Sequence, residues 1–368
     1  LEMKKDSYET SGKVLEWKAE NGKVIVSSSE VYFEFDKVTG MVTSYKVNGT
    51  EYFDKAFGVQ PNFWRAPNDN DYGNSNPKRL QIWKESSRDF KVSDTAVREE
   101  GETVLMSVTY DLPAGNQYLI TYRIYRDGVV NVNVKFTPTN REAEKTEVLE
   151  DTNLATFTPG KKAKKKDVLE VPRIGVRFRI PHVMNRVEYF GRGPVENYID
   201  RNAGSMVGRY KTSANDMYVN YVRPQENGHR TDTRWVSFTN TAGRGLLVLA
   251  EKTVGFNALR NTVEDFDSEE SSHPYQWRNR SPKEIADKNE AEAKNVLRRM
   301  THVNDIVPRD FVEVCIDMKQ QGVAGYDSWG AKVQPGYTIP ANKDYVWGFT
   351  LIPVRNAGDV NKSLRYTY

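Results

Sequence analysis

Apolar and polar residues alternate along most of the chain. Residues 23–28 (KVIVSS), 31–36 (VYFEFD) and 41–47 (MVTSYKV) are short runs rich in β-branched and aromatic side chains. Period two with that composition predicts half-buried strands. The segment 36–40 (DKVTG) and the dipeptide Asn48-Gly49 supply the turns, the latter in the form that favours a tight hairpin. The same pattern returns at 103–112 (TVLMSVTYDL), 118–125 (YLITYRIY) and 129–136 (VVNVNVKF), the last two joined by Asp127-Gly128. Further strands are predicted at 175–180, 186–190, 233–238, 245–251, 311–318 and 345–352. Strands at this density without alternating helices predict an all-β fold of antiparallel sheets packed as a sandwich. Helical periodicity is confined to 77–86 and 281–300. The second piece has Ser281 as its cap, Pro282 in the first turn and Glu284 three residues after the cap.

Residues 1–19 are weakly patterned and read as a lead-in from something upstream. Residues 20–368 read as one large β domain, since no Pro/Gly/Ser-rich linker divides them. A pair of face-to-face sandwiches with a break near 138–150 is the alternative. Residues of about 264–300, rich in Asp, Glu, Ser and Lys, stand out as a short helical insertion.

Composition narrows the function. Lys and Arg total 53 against 50 Asp and Glu, so the net charge of +3 gives no footprint for nucleic acid or an anionic membrane. The run KKAKKK at 161–166 reads as a solvated loop. Mean hydropathy is −0.70 and no long apolar run is present, which argues against a membrane span. The lone Cys315 excludes an internal disulfide and a CxxC metal site. Starting at Leu1 without an apolar leader, the chain reads as an excised or processed piece, and its compartment stays open.

Four segments carry candidate chemistry. The first, 61–73 (PNFWRAPNDNDYG), is expected as a long ordered loop. Asp69 and Asp71 could ligate a hard cation there, or Arg65 could pair with those carboxylates in a purely structural role. The second, 189–201 (YFGRGPVENYIDR), brings Glu196, Asn197, Asp200 and Arg201 after a bend. The third, 221–235 (YVRPQENGHRTDTRW), packs Gln225, Glu226, Asn227, His229 and Arg230 into one turn. Polar groups among aromatics suit sugar recognition; a buried ion-pair network joining two loops is the structural alternative. The fourth, 320–330 (QQGVAGYDSWG), lifts Trp329 onto a Gly-rich loop, where a ring is better placed to meet a ligand than a core. His182, His229, His273 and His302 match no zinc-hydrolase spacing, and neither a GxSxG nor a P-loop is present. No carboxylate pair identifies itself as the acid/base and nucleophile of a glycosidase.

Taken in order, RAPxDND at 65–71, GPxENYxDR at 193–201, PxENG at 224–228 and DSW at 327–329 resemble the C-terminal β-sandwich domain of glycoside hydrolase family 2 β-galactosidases. The resemblance extends from about residue 20 to the end. It implies a supersandwich like that of galactose mutarotase, the fifth domain of a long enzyme, which in some relatives is a separate small subunit. It places the catalytic glutamates, with Mg and Na, in a TIM barrel outside this chain, so no catalytic residue, metal or cofactor is expected within it. The expected partners are a galactoside substrate, the upstream domains or large subunit, and further copies of the full enzyme. Trp329 matches the tryptophan that stacks on the sugar, with Asp327 and Ser328 shaping its loop. Arg65, Asp69, Asp71, Glu196, Asn197, Asp200, Arg201, Glu226, Asn227 and Arg230 stand as a polar cluster, structural or sugar-binding. The rival readings are a free-standing sugar-binding module and an aldose mutarotase using His229 with Glu226.

Overall fold

The computed structural model describes residues 5–139, 141, 170–267, 302–327 and 330–368. The run at 161–166, the helix expected at 281–300, most of the acidic insertion, Ser328 and Trp329 lie outside the described residues.

The chain opens with β1 (Asp6–Ser7), β2 (Glu16–Glu20), β3 (Lys23–Ser27), β4 (Val31–Asp36), β5 (Met41–Val47) and β6 (Thr50–Glu51). β7 (Gln60–Asn62) leads into three short helices, α1 (Asp69–Gly73), α2 (Asn76–Arg79) and α3 (Gln81–Ser86). Next come β8 (Lys91–Glu100), β9 (Thr103–Asp111), β10 (Gln117–Tyr125) and β11 (Val130–Thr137). Beyond residue 170 lie β12 (Arg173–Pro181), β13 (Arg186–Gly193), β14 (Met206–Ser213), β15 (Arg230–Thr239), β16 (Gly245–Leu259) and the helical turn α4 (Val263–Phe266). β17 (Phe311–Gln320), β18 (Tyr345–Val354), α5 (Ala357–Ser363) and β19 (Tyr366–Thr367) complete the described chain.

Two antiparallel sheets form the body. β2 to β6 make a meander in sequence order, and the larger sheet runs β14-β13-β15-β16-β18-β11-β10-β9-β8. The long β16 is shared: its first half pairs with β15 and β18, and its second half with β17, which carries β12 and then β7. The large sheet curls, because the Tyr118 hydroxyl on β10 reaches Gly175 O on β12 at 2.9 Å. The meander closes against it through Phe33, Phe35, Val42 and Tyr45, all buried. Phe33 meets the Tyr122 ring at 5.5 Å, and the Tyr110 hydroxyl donates to Gly40 O at 3.0 Å. The all-β antiparallel architecture expected from the alternation is therefore present. β4 repeats buried and half-buried positions in strict alternation, as its VYFEFD sequence demands.

The segment expected as a lead-in contributes β1, which pairs in parallel with β19, and β2, which pairs with β3. The first residues of the expected insertion are also tied into the fold. Glu264 pairs with Arg177 at 2.8 Å, and Asp267 accepts from the Trp64 indole at 2.7 Å.

Candidate functional site

The Gly-rich loop leaves the end of β17 and is held by the first and second motifs. From the first motif, Arg65 Nη2 donates to Gly322 O at 3.3 Å and Asn68 Nδ2 to Val323 O at 3.0 Å. From the second, the Asp200 carboxylate accepts from Val323 N at 3.1 Å and Ala324 N at 2.8 Å. With its amide turned so that both ends are satisfied, Asn70 donates to Asp327 O at 3.1 Å and accepts from Gly325 N at 3.2 Å. Asp327 closes the far side by accepting from Ala331 N at 3.1 Å. Two glycines are required by close approach. A Cβ on Gly322 would stand 2.4 Å from Asp200 Oδ2, and one on Gly330 would stand 2.4 Å from the Gly73 backbone. Tyr326 and Asp327 emerge into solvent.

The Arg65 end is sealed. Arg65 and Asp71 are each about 2% exposed and pair at 2.6 and 3.1 Å. Asp71 also accepts from Asn68 N at 3.0 Å and Asn76 Nδ2 at 2.7 Å, while Asn68 Oδ1 accepts from Asp71 N at 2.9 Å. This reciprocal cap starts α1 inside the stretch expected to be loop. Asp69 points away, exposed, and pairs with Arg223 at 3.3 Å, whose guanidinium lies 3.8 Å over the Tyr72 ring. The two aspartates proposed as cation ligands are thus engaged separately by arginines. No group of three or more His, Cys, Asp or Glu suited to a metal occurs among the described residues.

The second and third motifs interlock beneath the loop. Glu196 accepts from Gly228 N at 2.7 Å and from the Tyr221 hydroxyl. Asn197 donates to Arg192 O at 3.0 Å and accepts from Thr231 N at 3.0 Å. Arg201 is exposed and borders the loop, its Nη1 4.0 Å from where a Cβ on Gly325 would stand. Asn227 accepts from Val219 N at 3.1 Å, and Arg230 donates to the Tyr189 hydroxyl and to Gly228 O, both at 3.1 Å. Glu226 N donates to Ala66 O at 3.3 Å, joining the third motif to the first.

Sequence reasoning missed the hub of this network. Arg173 on β12 is fully buried and donates to Trp64 O at 3.2 Å, Asn257 Oδ1 at 3.0 Å, Glu226 at 3.3 Å and Gln320. Its Nε lies 3.2 Å from Asp317 Oδ2 on β17. Neither Asp317 oxygen has a hydrogen-bond donor among the described residues, and Glu226 shares the same guanidinium. Burial therefore pushes the Asp317 carboxyl up to about 7 despite Arg173 beside it. A charged residue inside an otherwise apolar run was the available signal, as in RIGVRF and VCIDMK.

A sequence model described as the β-galactosidase small chain matches residues 27–351. The chain belongs to the β-galactosidase small-chain family. A β-galactosidase of Priestia megaterium is 33% identical over 322 residues, covering 87% of this chain and 25% of that enzyme. A β-galactosidase of Halalkalibacterium halodurans is 28% identical over 319 residues, covering 86% of this chain and 26% of that enzyme. The small-chain segment thus spans about a quarter of the length of these curated relatives. Among solved structures, a galactose mutarotase related enzyme from Lactobacillus acidophilus aligns with a TM-score of 0.42 and 9% identity, over 90% of this chain and 97% of that one.

Within this small chain, His229 and Glu226 are poorly placed for mutarotase chemistry. They are 1% and 6% exposed, and His229 Nδ1 lies 2.8 Å from Asn257 Oδ1 with its ring stacked on Tyr198. Burial, with Arg173 nearby, pulls the imidazole down to about 3, so it stays neutral and sealed at ordinary pH. A general acid or base must reach the proton it transfers, and these two face the interior.

Proposed function

We propose that this chain is the C-terminal, fifth domain of a glycoside hydrolase family 2 β-galactosidase, acting in hydrolysis of terminal β-D-galactosides without supplying the catalytic carboxylates. The observation that carries the reading is the convergence of the motifs. Arg65, Asn68, Asn70 and Asp200 all bind the backbone of one loop. Such an arrangement fixes residues 322–325, while Tyr326 and Asp327 stand exposed beyond them. Asp327 anchors the far side of the tip, and Trp329 supplies an aromatic face for the sugar's C–H surface. The remaining motif residues act at a distance, by stiffening the loop's foundation.

The acid/base and nucleophile steps belong to carboxylates of the larger enzyme, since a glycosidase needs a pair of them flanking the scissile bond. The 368-residue chain alone should therefore show no turnover of o-nitrophenyl β-D-galactoside above buffer. Turnover near that of an intact galactosidase would overturn the proposal.

A further inference from the structure

The two ends of the described chain meet at a second site, remote in sequence from the Gly-rich loop. Asp6 N donates to Arg365 O and Tyr8 N to Thr367 O, each at 3.0 Å, locking β1 beside β19. Beneath this pair lies an apolar cluster of its own, including Tyr125, Val129, Trp235, Ile352 and Val360, with Tyr8, Leu364 and Tyr368 packed against it. A cleft of about 610 Å³ opens over this floor, within the size range of small-molecule sites.

The lining selects a ligand class. Tyr8, Tyr366 and Tyr368 form an aromatic cluster with centroid separations of 5.4, 4.4 and 6.5 Å. Two of the rings are pinned, the Tyr8 hydroxyl by Asp127 and the Tyr368 hydroxyl by Ser363 O at 3.3 Å. The Arg355 backbone is fixed where its N–H donates to Asp359 Oδ2 at 2.8 Å. The side chains of Arg355 and Lys362 and the Tyr366 hydroxyl make no hydrogen bond or ion pair with the described residues, which leaves them as donors on the cleft wall. The carboxylates of Asp6, Glu9, Asp127 and Asp359 outnumber those two cations, so an anion is not favoured. No group of three or more His, Cys, Asp or Glu suited to a metal occurs among the described residues, which argues against a metal ion. A neutral ligand with many hydroxyls remains: the rings take its C–H faces, the free donors and acceptors take its hydroxyls.

We propose that this cleft is a saccharide-binding site, separate from the Gly-rich loop and independent of the reading of that loop. It would hold a neutral mono- or disaccharide and is not selective for galactose, because the lining has no enclosed pocket to discriminate one hydroxyl's orientation.

Saturation-transfer NMR on the 368-residue chain tests this, using methyl β-D-galactopyranoside and cellobiose as probes. Both sugars should receive saturation from the protein. Tyr366→Ala and Arg355→Ala should each weaken binding about tenfold, the equivalent of about 1.4 kcal/mol, with the circular-dichroism melt unchanged. No transfer to either sugar would overturn the proposal, as would transfer that neither variant reduces. Binding lost in Trp329→Ala but retained in Arg355→Ala would also overturn it, because the sugar would then sit on the Gly-rich loop and the proposed function would stand.

Discussion

Replacing Arg65 by methionine should be among the most damaging single changes in this domain that spare its apolar core. The side chain is about 2% exposed and makes a two-pronged contact with Asp71 at 2.6 and 3.1 Å. Methionine keeps much of the volume and removes the charge. Asp71 would keep the Asn68 N–H and the Asn76 amide, yet it would be a buried carboxylate without its cation. Gly322 O would lose its donor as well. Removing one partner of a buried ion pair costs about 3–5 kcal/mol, a large fraction of the roughly 5–15 kcal/mol that holds a domain folded. Urea unfolding of the 368-residue chain, followed by tryptophan fluorescence, should show that loss at an unchanged slope with denaturant. The Asp69–Arg223 pair supplies the contrast, since Asp69 is 75% exposed. Asp69→Asn, which leaves Arg223 over Tyr72, should cost about 1 kcal/mol or less. A loss below about 1 kcal/mol for Arg65→Met would show that the pair behaves like a surface contact and does not hold the loop's base.

Asp200→Ala removes two hydrogen bonds to a charged acceptor, each worth about 1.5–3 kcal/mol, and they are the ones held by the Val323 and Ala324 amides. Amide hydrogen exchange at Val323 and Ala324 should speed up at least tenfold, while exchange in β10 stays as in the parent. Unchanged rates at both amides would show that Asp200 does not hold the loop. His229, held down to about 3 by burial, should keep a neutral imidazole between pH 7.5 and 4.5, seen as a constant Cε1–H chemical shift. Its folded value lies below its unfolded one. The stability it contributes is therefore complete above pH of about 6.5 and is lost as pH falls towards 3. His229→Gln should flatten that part of the acid-unfolding curve, and a titration midpoint near 6.5 would contradict the buried assignment.

The alternating strands were legible in the sequence because one face of each meets the core. β4, β10 and β11 show this most plainly in VYFEFD, QYLITYRIY and VNVNVKFT. β8 and β14 escaped notice for the opposite reason. They lie at the two ends of the large sheet's path and have no fully buried position, so their apolar stripe is sparse. The individual motif residues were readable as polar groups in turn-rich segments, whereas their partners were not. Nothing in the spacing of Arg65 and Asp200 announces that both reach residues 322–324. Arg173 and Asp317 were harder still. Their strands are buried on both faces, so no alternation marks an inward position. Pairing between them depends on β12 lying beside β17, a contact set by tertiary structure.

On the proposed function, the motifs serve substrate binding by holding the loop that carries Trp329. The most direct test is kcat/KM for o-nitrophenyl β-D-galactoside in the full-length galactosidase bearing Trp329→Ala, Asp200→Ala or both. Loss of one sugar–aromatic contact should lower kcat/KM about tenfold, in line with about 0.5–1.5 kcal/mol for an aromatic pair beyond its burial. If Asp200 acts through the loop, Asp200→Ala should also lower kcat/KM, and the double variant should be no worse than Trp329→Ala alone. Wild-type kcat/KM in Trp329→Ala, or losses that multiply in the double variant, would contradict the account.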